Sequence, residues 1–410
     1  MASDRRVVVT GLGAVSAAGW GVPRLRDALR SGCTAIGSFD RFDHAAYRTH
    51  LAGQVPPLAS TAWRPPAPQW NRLSNSDRFA LFAACEAVGQ ARLTPPLDDA
   101  VVGLFFGGST AGLIETERYF EALVREPASR PPRSLLASHL VGSPADVVAR
   151  HLGVHGPVET VSSACASGGL AIEQALRAVR AADVDIAIVG GADCLCRTTY
   201  SGFNALRAVD ERPCRPFRGD RAGLSLGEGG AALVLESIDH ACARGAAPLA
   251  EVLGAGSTCD AHHMTAPHAT GEWAAMAFAQ AIADAGLGPD PIDFVNVHGT
   301  GTQLNDAAEC AGLQRTFGPR TPALPISATK GVVGHLLGAA GLIAAVATVV
   351  GLIDREVHPT PGGRDVDPAL PVNLILGAPH SVPDLSAAVC ASLGFGGANA
   401  AVVMGRWDRD

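Results

Sequence analysis

Glu159-Thr-Val-Ser-Ser-Ala-Cys-Ala-Ser-Gly-Gly-Leu-Ala171, continuing through Ile172-Glu-Gln-Ala-Leu-Arg-Ala-Val-Arg180, is the stretch on which the reading of this chain turns. It reads as a short buried strand, a tight turn of small residues, and a helix of good formers. Cys165 stands at the turn, and Gly168 and Gly169 let the first helical turn approach a neighbouring backbone closely. A cysteine at a helix N-terminus lies at the positive end of the helix dipole, which favours thiolate over thiol. A thiolate attacks a thioester and forms a new one, so the placement suits acyl transfer. A packed thiol filling a small gap fits this stretch equally well, and the remainder of the chain has to decide.

A chain of 410 residues is long for one core and predicts two similar lobes. Its 47% hydrophobic and 17% charged residues describe a well-buried globular protein. The net charge of -7 argues against general nucleic-acid binding. The ten cysteines have no regular spacing, and Cys194-Leu-Cys196 is their only close pair, so neither a disulfide framework nor a zinc site is predicted. A reducing cytoplasm is the expected setting, and the N-terminus enters a strand directly, with no signal peptide. Leu336 to Ile353 is uncharged and apolar enough to suggest a membrane span. Its Ala and Gly content, beside Lys330 and His335, predicts instead a helix buried inside a layered domain. Of 32 Lys plus Arg, only Lys330 is lysine, which asks for a chemical reason: Arg is a poor stand-in for a compact ammonium in a confined site.

Apolar runs suited to strands begin at Arg6, Val101, Asp185 and Ala231, and again at Ala250, Ile292, Ala323, Val389 and Ala400. Helical patterns lie between them, at Phe79 to Ala91, Leu170 to Ala182, Glu272 to Ala285 and Leu336 to Ile353. Continuous apolar strands alternating with helices predict α/β layers with both sheet faces covered. The two series look like one pattern used twice. Val102-Gly-Leu-Phe-Phe-Gly-Gly-Ser-Thr parallels Phe294-Val-Asn-Val-His-Gly-Thr-Gly-Thr, and Ser163-Ala-Cys-Ala-Ser-Gly parallels Ser327-Ala-Thr-Lys-Gly. A duplication meeting near residue 250 would bring both sets of turns to one centre; the halves are then residues 1–250, with the cysteine, and 251–410, with the histidines and lysine. The Pro-rich segments Pro56 to Trp70 and Pro127 to Arg133 read as irregular loops.

Two more motifs could carry chemistry. His298 ends an apolar strand ahead of a Gly/Thr turn, where a histidine is held rigidly at a cleft; a structural histidine fits the same pattern. Lys330 and His335 lie five residues apart at the mouth of the buried helix. Together with Cys165 they place Cys, His and His at strand-to-helix junctions of a repeated fold.

At this point the whole chain resembles the β-ketoacyl-acyl-carrier-protein synthases, condensing enzymes of the thiolase superfamily. It is most similar to the elongating Cys-His-His type of fatty-acid synthase II and type II polyketide ketosynthases. The signposts are Val7-Val-Val-Thr-Gly-Leu-Gly, Ser163-Ala-Cys-Ala-Ser-Gly, Arg215-Pro-Phe with Gly227-Glu-Gly, His298-Gly-Thr-Gly-Thr, Thr329-Lys-Gly-Val-Val-Gly-His and Gly394-Phe-Gly-Gly-Ala-Asn399. The resemblance implies a thiolase-like duplicated α-β-α-β-α fold with buried central helices. It implies that Cys165 holds the acyl chain as a thioester while malonyl-carrier protein loses carbon dioxide and its carbanion attacks. His298 and His335 would be neutral N–H donors to the developing enolate, and the N–H groups of Cys165 and Phe395 would form the oxyanion hole. Lys330 would order the site, with Glu309 as its partner. Phe395 would gate malonyl entry, helped by flanking glycines. Thr300, Thr302 and Thr265 would line the pantetheine channel, and Thr110 the acyl tunnel, where a surface-neutral role is the alternative. An acidic acyl-carrier protein requires a basic docking face, and Arg72, Arg130, Arg133 and Arg212 lie in the matching segments. No cofactor beyond the carrier's phosphopantetheine arm and no metal is implied, His262, His263 and His268 falling in a channel loop.

The chain departs from the pattern at Ala398, commonly Thr, and at Leu393, commonly aromatic. Gln303-Leu-Asn-Asp306 resembles the polyketide and polyene branch, which leaves fatty-acid and polyketide pathways both open. A thiolase would carry a second cysteine in the glycine loop, where Gly394-Phe-Gly-Gly has none. A non-catalytic chain-length factor would lack the cysteine. The expected assembly is a homodimer, or a heterodimer in which this chain is the active subunit beside a chain-length-factor-like partner.

Overall fold

Val7–Ser16 is buried at every position, so this strand has no solvent face, and its apolar residues, beginning with Val7-Val-Val, are not confined to alternate positions. In the computed structural model, which describes residues 5–67, 70–97, 100–128, 130–363 and 365–408, it is β1 of a repeated course. The first course comprises β1, β2 (Val102–Gly107), β3 (Val158–Val161), β4 (Ile186–Asp193) and β5 (Gly229–Ser237). The second comprises β6 (Ala250–Cys259), β7 (Phe294–Asn296), β8 (Pro325–Ser327), β9 (Asn373–Leu374), β10 (Ala387–Leu393) and β11 (Ala398–Arg406).

Reading outward from the centre, the first course is ordered β1-β5-β4-β2-β3 and the second β6-β11-β10-β7-β8, with β9 added at the far edge. In each course the inner pairings are antiparallel and the outer ones parallel. The two courses join where β1 pairs antiparallel with β6, Val8 opposite Glu251.

Two helices lie inside: α2 (Ser167–Arg180) and α6 (Ala340–Asp354), both contributing to the largest apolar cluster together with β1, β4 and β5. A Cβ on Gly168 would come within 2.8 Å of the Leu342 backbone N, so the glycine pair does permit the close approach that the sequence predicts. Leu337–Asp354, with a mean hydropathy of 2.0, is 89% buried within the protein, as expected of a core helix. Outside the sheets, α1 (Asn75–Gln90) packs with the first course, and α4 (Glu272–Asp284) and α5 (Gln303–Phe317) with the second. The result is the layered α/β arrangement with buried central helices that the resemblance implies.

One expectation is corrected. The strand before Cys165, predicted to be buried, is the outermost strand of its course: Val158, Glu159 and Thr160 are exposed. Its partner β2 covers only one edge.

Parallel strands point their carboxyl ends the same way, which is where α/β folds gather functional groups. Within a few residues beyond β3, β7, β8 and β10 come Cys165, His298, Lys330 and Phe395 respectively.

Candidate active site

The Cys165 turn is tight enough to put Ala164 at φ 46°, a left-handed conformation rare for a residue with a side chain. Ser167, the first residue of α2, holds it: its hydroxyl donates to the Ala164 carbonyl at 2.6 Å and accepts from the Ser163 N–H at 2.8 Å. Cys165 itself is only 6% exposed. His298 and His335 stand edge-to-face with ring centroids 5.5 Å apart, and the Cys165 Sγ and one ring nitrogen of each lie within 4.8 Å of one another.

Each imidazole is held by its Nδ1. The Leu337 N–H donates to His335 Nδ1 at 3.1 Å. The Lys330 ammonium reaches His298 Nδ1 at 3.1 Å and also donates to the His298 carbonyl at 2.6 Å. An Nδ1 that accepts leaves the proton of the neutral ring on Nε2. Burial, and then the Lys330 charge, hold both histidines well below the usual imidazole range, so both rings are neutral at pH 7. The pair therefore presents two N–H donors to one small space.

The thiol behaves differently from the dipole argument alone. Burial pushes Cys165 up, while the Lys330 charge and the Phe395 N–H pull it down. Desolvation thus outweighs both. Glu309 also departs from expectation. It makes no ion pair with Lys330 among the described residues; its carboxylate accepts the N–H groups of His298 (2.6 Å) and Gly299 (2.8 Å), fixing the turn, and acts on Lys330 through its charge. Burial raises Glu309 to about 7.

Cys165, His298 and His335 are close enough to suggest a metal-binding group. The donor set does not fit one. Metal on either Nε2 would move that ring's proton to Nδ1, against the Leu337 N–H or the Lys330 ammonium.

A cavity of about 290 Å³ opens on the three residues, and Thr300, Thr302, Thr265 and Phe395 also line it. Residues 4–241 match the family model "Beta-ketoacyl synthase, N-terminal domain", and residues 249–364 match "Beta-ketoacyl synthase, C-terminal domain". The chain belongs to the β-ketoacyl synthase family. This synthase is 33% identical to the 3-oxoacyl-[acyl-carrier-protein] synthase 2 of Staphylococcus aureus strain COL, over 100% of both chains. Among solved structures it is similar to the ishigamide ketosynthase/chain length factor, with a TM-score of 0.91 and 33% identity, covering 98% of this chain and 100% of that one. It also resembles the AntDE:AntF complex, a type II polyketide ketosynthase with its acyl-carrier protein, with a TM-score of 0.89 and 28% identity over 98% and 100% of the two chains.

The other expected residues of the synthase fall into three groups. Thr300 and Thr302 join hydroxyls at 2.9 Å beneath the cavity, and Thr302 also caps α5; Thr265 sits on the facing loop, bound to His263 Nδ1. Phe395 stacks on Phe203 of α3 (Arg197–Ala205), with centroids 5.5 Å apart, and is followed by Gly396 and Gly397 at positive φ. Thr110 is not among the cavity-lining residues; its hydroxyl is turned to the Asp193 carboxylate (3.1 Å) and the Cys194 carbonyl. Arg72, Arg130, Arg133 and Arg212 are exposed but not gathered at the cavity: Arg72 lines a separate cleft with Ser134 and Arg150, and Arg212 pairs with Asp220 at 3.1 Å. The residues that sequence reasoning missed are at the cavity itself, namely Arg207, Leu206 and Leu304, the leucines 54% and 63% exposed. Leu206 and Arg207 carry no motif, and Leu304 lies in Gln303-Leu-Asn-Asp306 without a role assigned to it, so only the folded chain brings the three to one opening.

Proposed function

We propose that Cys165 of this synthase accepts an acyl chain from an acyl-carrier protein, and that the acyl thioester then condenses with a malonyl unit carried by a second. Cys165 gives up its proton, the thiolate attacks the carrier thioester, and the expelled carrier thiolate takes up a proton in its place. The malonyl thioester then loses carbon dioxide; the electron pair of the breaking C–C bond becomes an enolate. The enolate carbon attacks the acyl carbonyl, and collapse of the tetrahedral intermediate returns the Cys165 thiolate and leaves a β-ketoacyl-carrier protein. The observation that supports this reading is the pair of neutral imidazoles, each anchored at Nδ1, whose Nε2–H groups would stabilise the enolate oxygen.

Supporting roles follow. The N–H groups of Cys165 and Phe395, both of which act on the thiol, would bind the oxyanion. Lys330 sets the His298 tautomer, and Glu309 the turn that carries it. Thr300, Thr302 and Thr265 line the route of the phosphopantetheine arm, which is the only carrier group required. Phe395 moves on its glycines to admit the malonyl unit. Carrier docking falls to the arginines Arg72, Arg130, Arg133 and Arg212. Residues 1–250 and 251–410 would form the two halves, and ten unpaired cysteines suit a reducing cytoplasm.

A second reading concerns assembly. The exposed edge of β3 and the likeness to a structure named for a ketosynthase and a chain length factor support a dimer, either of two copies or of this chain as the active subunit beside a chain-length-factor-like partner.

The test is reconstitution with malonyl- and acyl-carrier proteins of graded chain length, with and without a candidate partner subunit, followed by mass spectrometry. A β-ketoacyl product that disappears in Cys165→Ala is expected. Wild-type product formation by that variant would sink the assignment.

A further inference from the structure

Asp193, the last residue of β4, is fully buried, and N–H groups from two separate turns converge on its carboxylate. From the turn after β2 come the N–H groups of Ser109 (3.0 Å), Thr110 (2.7 Å) and Ala111 (3.0 Å), with the Thr110 hydroxyl at 3.1 Å. From the segment just beyond His335 comes the Gly338 N–H, at 2.7 Å. A carboxylate accepting this many donors is a clamp, because losing it leaves several buried N–H groups unpaired at once.

Both clamped segments are strained. Ala111 has φ 40° and Leu337 has φ 52°, conformations that residues with side chains keep only where the surroundings over-determine them. The segments are also in contact: a Cβ on Gly338 would lie 2.6 Å from the Gly108 carbonyl carbon and 2.9 Å from Asp193 Oδ2. Each leads directly to the reacting groups. The Leu337 N–H is the donor that fixes His335 Nδ1. On the other side, the Ser109 hydroxyl donates to the carbonyl of Ala164, the residue before Cys165, at 3.3 Å.

We propose that Asp193 is a positioning residue of the condensation reaction: without touching substrate, it sets the His335 imidazole against Cys165 by clamping residues 109–111 and 338 on one carboxylate. The inference rests on the reading of Cys165 and His335 given above. It assigns a role to a residue that a mere strand terminus would not need, and it accounts for three left-handed residues, Ala111, Ala164 and Leu337, around one site.

The experiment compares wild type, Asp193→Asn and Asp193→Glu in three measurements on folded protein: turnover of malonyl-carrier protein decarboxylation, its KM, and the pH dependence of Cys165 alkylation by iodoacetamide. Asn keeps the shape but loses the charge and turns an N–H₂ toward N–H donors. For Asp193→Asn we expect kcat to fall at least tenfold with KM within twofold of wild type. The alkylation midpoint moves to lower pH, since Asp193 raises the thiol and the other charged or titratable groups acting on the site, Lys330, His298, His335 and Glu309, are left in place. Asp193→Glu keeps the charge and so the alkylation profile, while its extra methylene spreads the two turns and lowers kcat at least threefold. Wild-type kcat per folded molecule with an unmoved midpoint in Asp193→Asn overturns the proposal, as does wild-type kcat in Asp193→Glu if the Asn variant does not fold. A wild-type protein that neither decarboxylates nor condenses removes the underlying reading as well, whereas active wild type with active variants removes this inference alone.

Discussion

The Lys330 ammonium holds His298 at two atoms, its carbonyl oxygen and its Nδ1, from a position only 4% exposed. A compact ammonium fits between two acceptors on one residue; a planar guanidinium needs more room and spreads its donors. Lys330→Arg and Lys330→Met should both therefore lose condensation by at least a hundredfold. Lys330→Met also leaves two buried acceptors unpaired and should lower stability by about 1–3 kcal/mol. Wild-type turnover in Lys330→Arg, followed by carbon dioxide release, would show that charge alone is required.

In the proposed mechanism the two histidines act on the malonyl half of the reaction and not on acylation. His298→Ala and His335→Ala should reduce decarboxylation by roughly 10²–10³-fold each, the scale of removing one preorganised donor. Acylation of Cys165 from an acyl-carrier protein should persist, seen as the mass of the acyl-enzyme. Loss of that mass in both variants would contradict the division of labour.

Phe395 stacks on Phe203 and is followed by two glycines at positive φ. Phe395→Ala removes the proposed gate and should raise malonyl decarboxylation in the absence of an acyl chain. Gly396 sits at φ 85° with open space around it, so Gly396→Ala tests the hinge alone, at a backbone cost of about 1–2 kcal/mol. It should slow turnover with little change in acylation, as read by stopped-flow. Uncoupled decarboxylation at the wild-type level in Phe395→Ala would exclude the gate.

His358 is buried against Ser327, and burial lowers it to about 3. A histidine depressed in the folded state stays neutral there while the unfolded chain takes up a proton below about 6.5. Its contribution to stability is therefore present above that pH and is lost as pH falls toward 3. Between pH 6.5 and 5 the loss is about 2 kcal/mol. His358→Asn should accordingly be destabilised less, relative to wild type, at pH 5 than at pH 7, measured by urea unfolding. An equal difference at both pH values would refute the linkage.

Much of this was legible in the chain because the fold places chemistry at strand ends. Apolar runs set the strands, and the residues just past them, Cys165, His298 and Lys330, are those that meet in space. The burial of β3 was misread because Val158-Glu-Thr-Val has too few residues to reveal which face or edge it shows. Glu309 was expected as the charge partner of Lys330, and its charge does act there, but the backbone N–H groups of a sharp turn take up its carboxylate, a contact no local pattern shows. Thr110 faces Asp193 through a contact between segments more than 80 residues apart, beyond any local pattern. Arg207, Leu206 and Leu304 meet at the cavity for the same reason.

The open edge of β3 ends at Val161, and Cys165 follows four residues later. The backbone that would receive a second chain is thus the backbone that carries the nucleophile. A partner strand added there would act on the turn at Ala164 directly, with no relay through the core. In the proposed dimer, assembly and reactivity would share a single short segment, and a second chain paired there would tune the thiol.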